Sequence, residues 1–355
     1  MNITQVDFGT LPDGRMTTLY TLTNNHGAAV AITNYGGIVV GIVVPDREGK
    51  RDDVVLGFDD LAGYLAQSPY FGAIVGRCCN RLNRGQFTLA GRTYQLAVNE
   101  APQRQTHLHG GNRGFDKMLW SATPRVTATA ATLELRYFSP DGEENYPGNL
   151  TVTARYSWDD DYALRLELTA TTDRTTIVNL TNHSYFNLAG AGSGPVTGHL
   201  ARINAEHYTP VSAELIPTGE IRPVAGTPFD FTVAKPIGRD IDAADGQIAI
   251  GGGYDHNFVL CRPTPGALTT AAEVYEPTTG RTLEVLTTQP AVQFYTGNGL
   301  GSEIGKGHRR YPRRGGFCFE PQRYPDAPHH DHFPSIVLTP DQTYRETVVF
   351  RFGVK

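Results

Sequence analysis

Five polar clusters along the 355-residue chain carry side chains able to move protons or bind hydroxyls. The richest is Asn179-Leu180-Thr181-Asn182-His183-Ser184-Tyr185-Phe186-Asn187-Leu188-Ala189-Gly190, which follows the β-branched run Thr176-Ile177-Val178. A strand ending in so many hydrogen-bonding groups is expected to present them to a polar ligand, and histidine exchanges protons near neutral pH. The others are Gly76-Arg77-Cys78-Cys79-Asn80-Arg81-Leu82, Thr106-His107-Leu108-His109-Gly110-Gly111, Gly253-Tyr254-Asp255-His256-Asn257-Phe258 and Gly316-Phe317-Cys318-Phe319-Glu320-Pro321-Gln322. A related run, Gln289 to Tyr295, offers amides and aromatics. Singly, each has a plain reading: Glu320 solvated, Asp255 bracing a turn, Arg81 in a weak surface ion pair. Together they supply imidazoles, carboxylates, amides and a guanidinium beside aromatic rings. That inventory suits a neutral polyhydroxylated ligand, whose hydroxyls need donors and acceptors and whose C–H faces pack on rings.

Other chemistries fit less well. Gly297-Asn298-Gly299-Leu300-Gly301 puts Ser302 where a dinucleotide fingerprint needs its last glycine, and no βαβ pattern surrounds it. There is no G-x-S-x-G elbow. His329-His330-Asp331-His332 is the best metal candidate by composition, but it sits between prolines without helix or strand spacing and reads as a solvated loop.

The elements that must hold these residues are strands. Leu133-Glu134-Leu135-Arg136-Tyr137, Leu164 to Leu168 and Val348 to Phe352 alternate with period two, as half-buried antiparallel strands do. Turn signals at Leu89-Ala90-Gly91-Arg92 and Pro277-Thr278-Thr279-Gly280 join neighbouring runs. Helical periodicity is scarce, with one short helix expected from Asp60 to Gln67. With 39 glycines, 23 prolines and no linker or repeat, the expected architecture is all-β. It is a large antiparallel β-sandwich with few short helices, forming a single domain over residues 1–355. A net charge of −5 gives no electrostatic case for nucleic acid or an anionic membrane. The N-terminus lacks a secretory pattern, no apolar run spans a bilayer, and Cys78, Cys79, Cys261 and Cys318 read as free thiols of a reducing cytoplasm. The expected state is a monomer or homodimer.

The ordered motifs resemble those of the aldose 1-epimerase (galactose mutarotase) family. The resemblance rests on Pro69-Tyr70-Phe71-Gly72, Asn80-Arg81, Leu108-His109-Gly110-Gly111 with Arg113 to Lys117, and Ser139 to Glu144 with Tyr146-Pro147-Gly148. It continues through Asn179 to Gly190, Leu215 to Gly219, Asp255 to Phe258, Thr287 to Pro290, Gln293 to Asn298 and Gly316 to Glu320. Cys78-Cys79 and the His329 to His332 loop depart from the family's pattern. The resemblance implies a mutarotase-like supersandwich with the sugar on an open concave face, and interconversion of α and β anomers of aldohexoses such as galactose and glucose. It implies no metal and no organic cofactor.

Anomer exchange needs one base at the C1 hydroxyl and one acid at the ring oxygen. By resemblance Glu320 is the base and His183 the acid, while His109 polarises the reacting oxygens. Asn80, Arg81, Tyr185, Asp255 and Gln293 resemble the substrate-binding positions. Strand alternation sends Tyr185 the same way as His183 and Ser184 the other way, and puts Cys318, as a packing thiol, on the face of Glu320. A carboxylate near His183 is expected to raise its pKa. Two other readings use the same residues: a glycoside hydrolase built on Asp255 and Glu320, and a non-catalytic carbohydrate-binding module. A phosphosugar epimerase would call for clustered cations, and only Arg81 is placed for that.

Overall fold

In the computed structural model, which describes residues 1–262 and 264–355 and all their side chains but that of Gln67, alternating apolar residues are folded into three large antiparallel sheets. The nine-stranded sheet runs in the order Ser121–Val126, Ala131–Ser139, Leu150–Trp158, Ala163–Thr172, Tyr344–Val354, Arg281–Thr287, Thr269–Tyr275, Leu200–Ile203, Lys235–Pro236. Along Leu150–Trp158 every second residue is buried, as the pattern requires: Leu150, Val152, Ala154, Tyr156 and Trp158 all face inward. A five-stranded N-terminal sheet comprises Asn2–Thr10, Met16–Thr23, Ala29–Thr33, Val39–Pro45 and Arg51–Asp53. The third sheet, also five-stranded, is ordered Arg222–Pro223, Ala205–Thr209, Asp255–Leu260, Ala291–Tyr295, Cys318–Gln322.

This third sheet has two chemically different faces, and its register explains both. One face carries Phe258, Phe294 and Phe319, with Phe294 and Phe319 stacked at 4.8 Å between ring centroids. These rings join Leu166, Val285 and Phe350 of the nine-stranded sheet in one apolar cluster that also takes in Val30, Ile32 and Ile42. The other face carries three rows of cross-strand partners: Asp255–Tyr295–Cys318, Asn257–Gln293–Glu320 and Val259–Ala291–Gln322. A shift of one residue in any of these strands would drive carboxylates into the core and phenylalanines out, so core burial fixes the register of the polar face.

The expected hairpins lie at Gln86–Leu89 with Arg92–Gln95 and at Thr269–Tyr275 with Arg281–Thr287. The expected helix is Leu61–Gln67, with the Asp60 side chain accepting the Gly63 N–H. A second helix, Gly246–Gly251, escaped the sequence reading because six residues offer too little periodicity; Asp245 caps it and Gly252 ends it in the left-handed conformation. Among the described residues no helix is long and apolar enough to cross a membrane.

A buried polar post ties the nine-stranded sheet to the His183 segment. The Tyr344 hydroxyl accepts the Leu180 N–H (3.1 Å) and an N–H of Gln289 (3.1 Å), and donates to Glu346 at 2.6 Å. Burial pushes the Glu346 carboxyl up to about 8, against the partial opposition of Tyr344, Gln289 and Arg323. A carboxyl that holds its proton more tightly when folded contributes stability that is full below its unfolded pKa, ~4.3, and is lost as pH rises toward 8. Replacing Glu346 with Gln removes that titration. The melting temperature of Glu346→Gln relative to the wild type should therefore rise from about pH 5 to about pH 9 in scanning calorimetry. A difference that stays flat across that range would contradict the assignment.

Candidate active site

The cleft over the polar face of the third sheet has a volume of 470 Å³ and is lined by His183, Glu320, His109, Asp255 and Arg81, among others. Each reaches it by a different local device. Glu320 stands on Cys318–Gln322 with its side chain 3% exposed. His183 follows Thr181–Asn182, a short strand paired with Ile74–Val75, and its backbone is clamped between the Ala73 carbonyl (2.9 Å) and the Gly72 N–H (3.0 Å). The rest of that motif is spent on anchoring. Asn179 brackets the backbone of Arg323, donating to its carbonyl and accepting its N–H at 3.0 Å each. Asn182 donates to the Gly72 carbonyl (2.8 Å) and accepts from Ser184, while Thr181 donates to the Pro321 carbonyl. Only His183 and Tyr185 of the motif line the cleft, so the expectation that the whole run meets a ligand is corrected. The parity expected for Tyr185 and Ser184 is observed. The Tyr185 hydroxyl, however, donates to the Pro69 carbonyl at 3.1 Å, and its ring stacks on His183 at 5.0 Å.

Four cleft residues adopt left-handed backbone conformations that non-glycine residues avoid: Tyr70 (φ 64°), Asn80 (φ 59°), His109 (φ 51°) and Leu215 (φ 55°). Such strain gathers where a side chain must be aimed. Asn80 and His109 hold one another: the Asn80 N–H donates to His109 Nδ1 and its carbonyl accepts the His109 N–H, both at 3.1 Å. Gly110 lets this turn close, since a Cβ there would lie 1.8 Å from the Gly76 carbonyl oxygen. The Glu144 carboxylate accepts the N–H groups of Asn112 and Arg113 and pins the far side of the loop.

Arg81 is buried, contrary to the surface ion pair that its sequence context allows. It forms a two-pronged bond to Glu100 (2.7 and 3.0 Å), and its third nitrogen lies 3.9 Å from Asp255. Burial pushes Glu100 up, but Arg81, Thr106 and Arg104 outweigh it and hold it below its ordinary value. Burial also lifts Asp255, only partly opposed by Arg81 and Gln293. Gln293 does not line the cleft. Its amide donates to Asp255 at 2.7 Å and its oxygen accepts from Gln322 at 3.4 Å, so it braces Asp255. Tyr70, Glu100 and Arg104 were not singled out by sequence. Glu100 lies in a loop without periodicity, and nothing local signals its long-range bond to Arg81. Tyr70 does sit in the Pro69-Tyr70-Phe71-Gly72 motif, which was the available signal.

His183 and Glu320 approach each other in the cleft, with Nε2 and Oε2 3.6 Å apart. Oε2 is fully buried and has no hydrogen-bond partner among the described residues. Burial, then the charge of Asp255, pushes Glu320 well above the carboxylate range, with Arg81 opposing. Burial pulls His183 down to about 4; its own backbone carbonyl opposes this and the Arg81 charge adds to it. The expected rise in the His183 pKa is thus reversed, because burial penalises the imidazolium more than its surroundings favour it. Both shifts favour the neutral forms of the two groups.

Among the described residues, His109, His183 and Glu320 are the one group whose ligand atoms lie within 4.8 Å of each other, a spacing a divalent ion could use. The His109 tautomer argues against it. Its Nδ1 accepts the Asn80 N–H, so the neutral ring carries its proton on the remaining nitrogen and has no lone pair to offer there. The His329 to His332 loop is likewise engaged: His329 bonds Asp326 at 2.6 Å, His330 the Pro217 carbonyl at 3.3 Å and His332 the Gly219 carbonyl at 2.8 Å. His329, Asp331 and His332 are exposed, as expected of a solvated loop, and the loop also braces Pro217 and Gly219. A hydrolase on Asp255 and Glu320 fits poorly, since Asp255 is committed to Gln293 and Arg81. A phosphate fits poorly too, because Arg81 and Arg104 both already share Glu100.

A sequence profile of the aldose 1-epimerase family matches residues 18–351. Galactose mutarotase of Bos taurus is 45% identical over 355 residues, covering 100% of this chain and 99% of the relative. Aldose 1-epimerase of Escherichia coli K12 is 35% identical over 96% of each chain. The crystal structure of a galactose 1-epimerase from Lactobacillus acidophilus superposes with a TM-score of 0.86 at 29% identity, covering 99% of both chains.

The Arg81 bracket yields a prediction for the protein alone. Glu100→Gln removes the charge that holds a buried guanidinium, and should cost about 2–4 kcal/mol of unfolding free energy in denaturant titration. A loss below ~0.5 kcal/mol, the scale of a surface pair, would contradict the bracket.

Proposed function

The chain belongs to the aldose 1-epimerase family, and we propose the route by which its cleft interconverts the α and β anomers of an aldohexose. The protein is an isomerase of the mutarotase type; D-galactose and D-glucose are the substrates proposed. The observation that carries the route is the 3.6 Å approach of His183 Nε2 to Glu320 Oε2, with burial moving both groups toward their neutral forms. Hydrogen bonding from the sugar's C1 hydroxyl to Glu320 favours its carboxylate, and the proton passes to His183 Nε2 with no net uptake from solvent. Glu320 then takes the C1 hydroxyl proton as His183 gives its own to the ring oxygen. The C1–O5 bond breaks and C1 becomes an aldehyde. Rotation about C1–C2 turns the other carbonyl face to the returning C5 hydroxyl, and closure with the proton transfers reversed yields the other anomer. Each turnover restores the pair, so no co-reactant is consumed.

In this reading His109 donates from its remaining N–H to the reacting oxygens, a role supported by the Asn80-imposed tautomer. Asn80 has a side-chain amide nitrogen without a bond among the described residues, and Arg81 and Asp255 add a fixed donor and acceptor. Tyr185 offers its ring rather than its hydroxyl, and Gln293 acts through Asp255. We also take residues 1–355 as one domain, supported by the apolar cluster that the three large sheets share.

Polarimetry of freshly dissolved α-D-galactose and α-D-glucose tests the proposal. The enzyme should speed the decay of optical rotation, and Glu320→Gln and His183→Ala should each lower kcat by roughly 10²–10⁴. kcat/KM should fall as pH drops through about 4, where the pair gains a second proton and loses its base, and hold level through neutrality. Rotation that decays no faster than in buffer would overturn the reading. Full turnover by Glu320→Gln would reduce the site to sugar binding.

A further inference from the structure

We propose that Cys318 is a positioning residue that fixes the tautomer of His183, keeping a proton on Nδ1 so that Nε2 alone exchanges protons with the sugar. This inference rests on the roles proposed for His183 and Glu320.

Cys318 and Glu320 are two residues apart on one strand and face the same way. The His183 imidazole lies against both: Nδ1 is 3.5 Å from Cys318 Sγ, and Nε2 is 3.6 Å from Glu320 Oε2. The ring is held in place by stacking on Tyr185 at 5.0 Å (22° between planes) and on Tyr70 at 5.9 Å (25°). Both His183 and Cys318 are buried, the thiol completely. Solvent therefore cannot supply Nδ1 with an alternative partner, and Sγ is its one side-chain hydrogen-bond partner among the described residues.

Two tautomers are available to the neutral ring. In one, Nδ1–H donates to the sulfur and the Nε2 lone pair faces the carboxyl. In the other, the thiol donates to Nδ1 and Nε2 carries the proton. A thiol is both a weak donor and a weak acceptor, whereas a carboxylic O–H is a strong donor and an imidazole nitrogen a strong acceptor. The first arrangement turns the strong acceptor toward the strong donor 3.6 Å away and leaves the weak sulfur the lesser task. Burial, aided by the Asp255 charge, pushes the Cys318 thiol well up, so it orients the ring without adding charge. A carboxylate in its place would hold His183 as imidazolium and remove the base needed when the ring re-closes. The His183 carbonyl, which accepts the Gly72 N–H at 3.0 Å, keeps a second lone pair that favours the same Nδ1–H tautomer.

The test is long-range ¹H–¹⁵N correlation NMR on histidine-labelled full-length protein at neutral pH. The His183 signal among the 11 histidines is identified by its loss in His183→Asn. The wild type should show Nδ1 protonated and Nε2 bare. Cys318→Ser should keep that pattern and keep kcat within about threefold. Cys318→Ala should shift the proton toward Nε2 and lower kcat about tenfold with KM little changed, since sugar contacts are untouched. A wild-type ring protonated on Nε2 would overturn the proposal. So would a Cys318→Ala protein whose tautomer and kcat match the wild type. If Cys318→Ala does not fold, the wild-type and Cys318→Ser spectra still decide it. If His183 and Glu320 are not the reacting pair, His183→Ala retains turnover whatever its tautomer, which separates the two failures.

Discussion

The cleft depends on one electrostatic constraint: a carboxyl and an imidazole 3.6 Å apart, each buried too deeply to carry charge unaided. In water Glu320 would be an anion and His183 partly a cation. In the cleft burial pushes the Glu320 carboxyl up and pulls the His183 imidazole down, moving both toward their neutral forms. Anomer exchange asks for such a device, because the group that is acid in ring opening must be base in ring closure. An ion pair stabilised by solvent would be a poor catalyst, since each reversal would work against its own hydration.

The fold supplies the dryness and the aim together. Phenylalanines on the far side of the third sheet lock the register of Asp255–Leu260, Ala291–Tyr295 and Cys318–Gln322, and thereby place Asp255, Gln293, Cys318 and Glu320 in adjacent rows on the near side. The His183 segment comes from elsewhere in the chain and is held by side-chain amides that grip backbone rather than ligand. Left-handed turns at Tyr70, Asn80 and His109 close the remaining wall, and the strain they carry is borne by the surrounding sheets. Polar residues here divide between those that touch the cleft and those that hold its walls.

Much of this was legible from residue types. Period-two alternation in Leu133 to Tyr137 and Leu164 to Leu168 announced half-buried strands, and Asp60 announced its helix. The ordered motifs identified His183, Glu320, His109, Asn80, Arg81 and Asp255, all of which the structure brings to one cleft. Gln293 shares a face with Glu320, so alternation alone could not reveal that a second amide, Gln322, and Asp255 would enclose it. Glu100 was invisible because an ion pair between a loop and a strand leaves no periodic trace. The direction of the His183 shift was misread for a physical reason: a neighbouring carboxylate raises an imidazole only while it is ionised, and burial, which sequence reports poorly, decides that.

Infrared difference spectroscopy of the unliganded wild type minus Glu320→Gln, at neutral pH, tests the shared-proton pair most directly. A protonated-carboxyl C=O band should belong to Glu320, and adding D-galactose should replace it with carboxylate bands as the proton moves to His183. Carboxylate bands already present in the unliganded protein, unchanged by sugar, would show that burial does not govern the pair and would contradict the account.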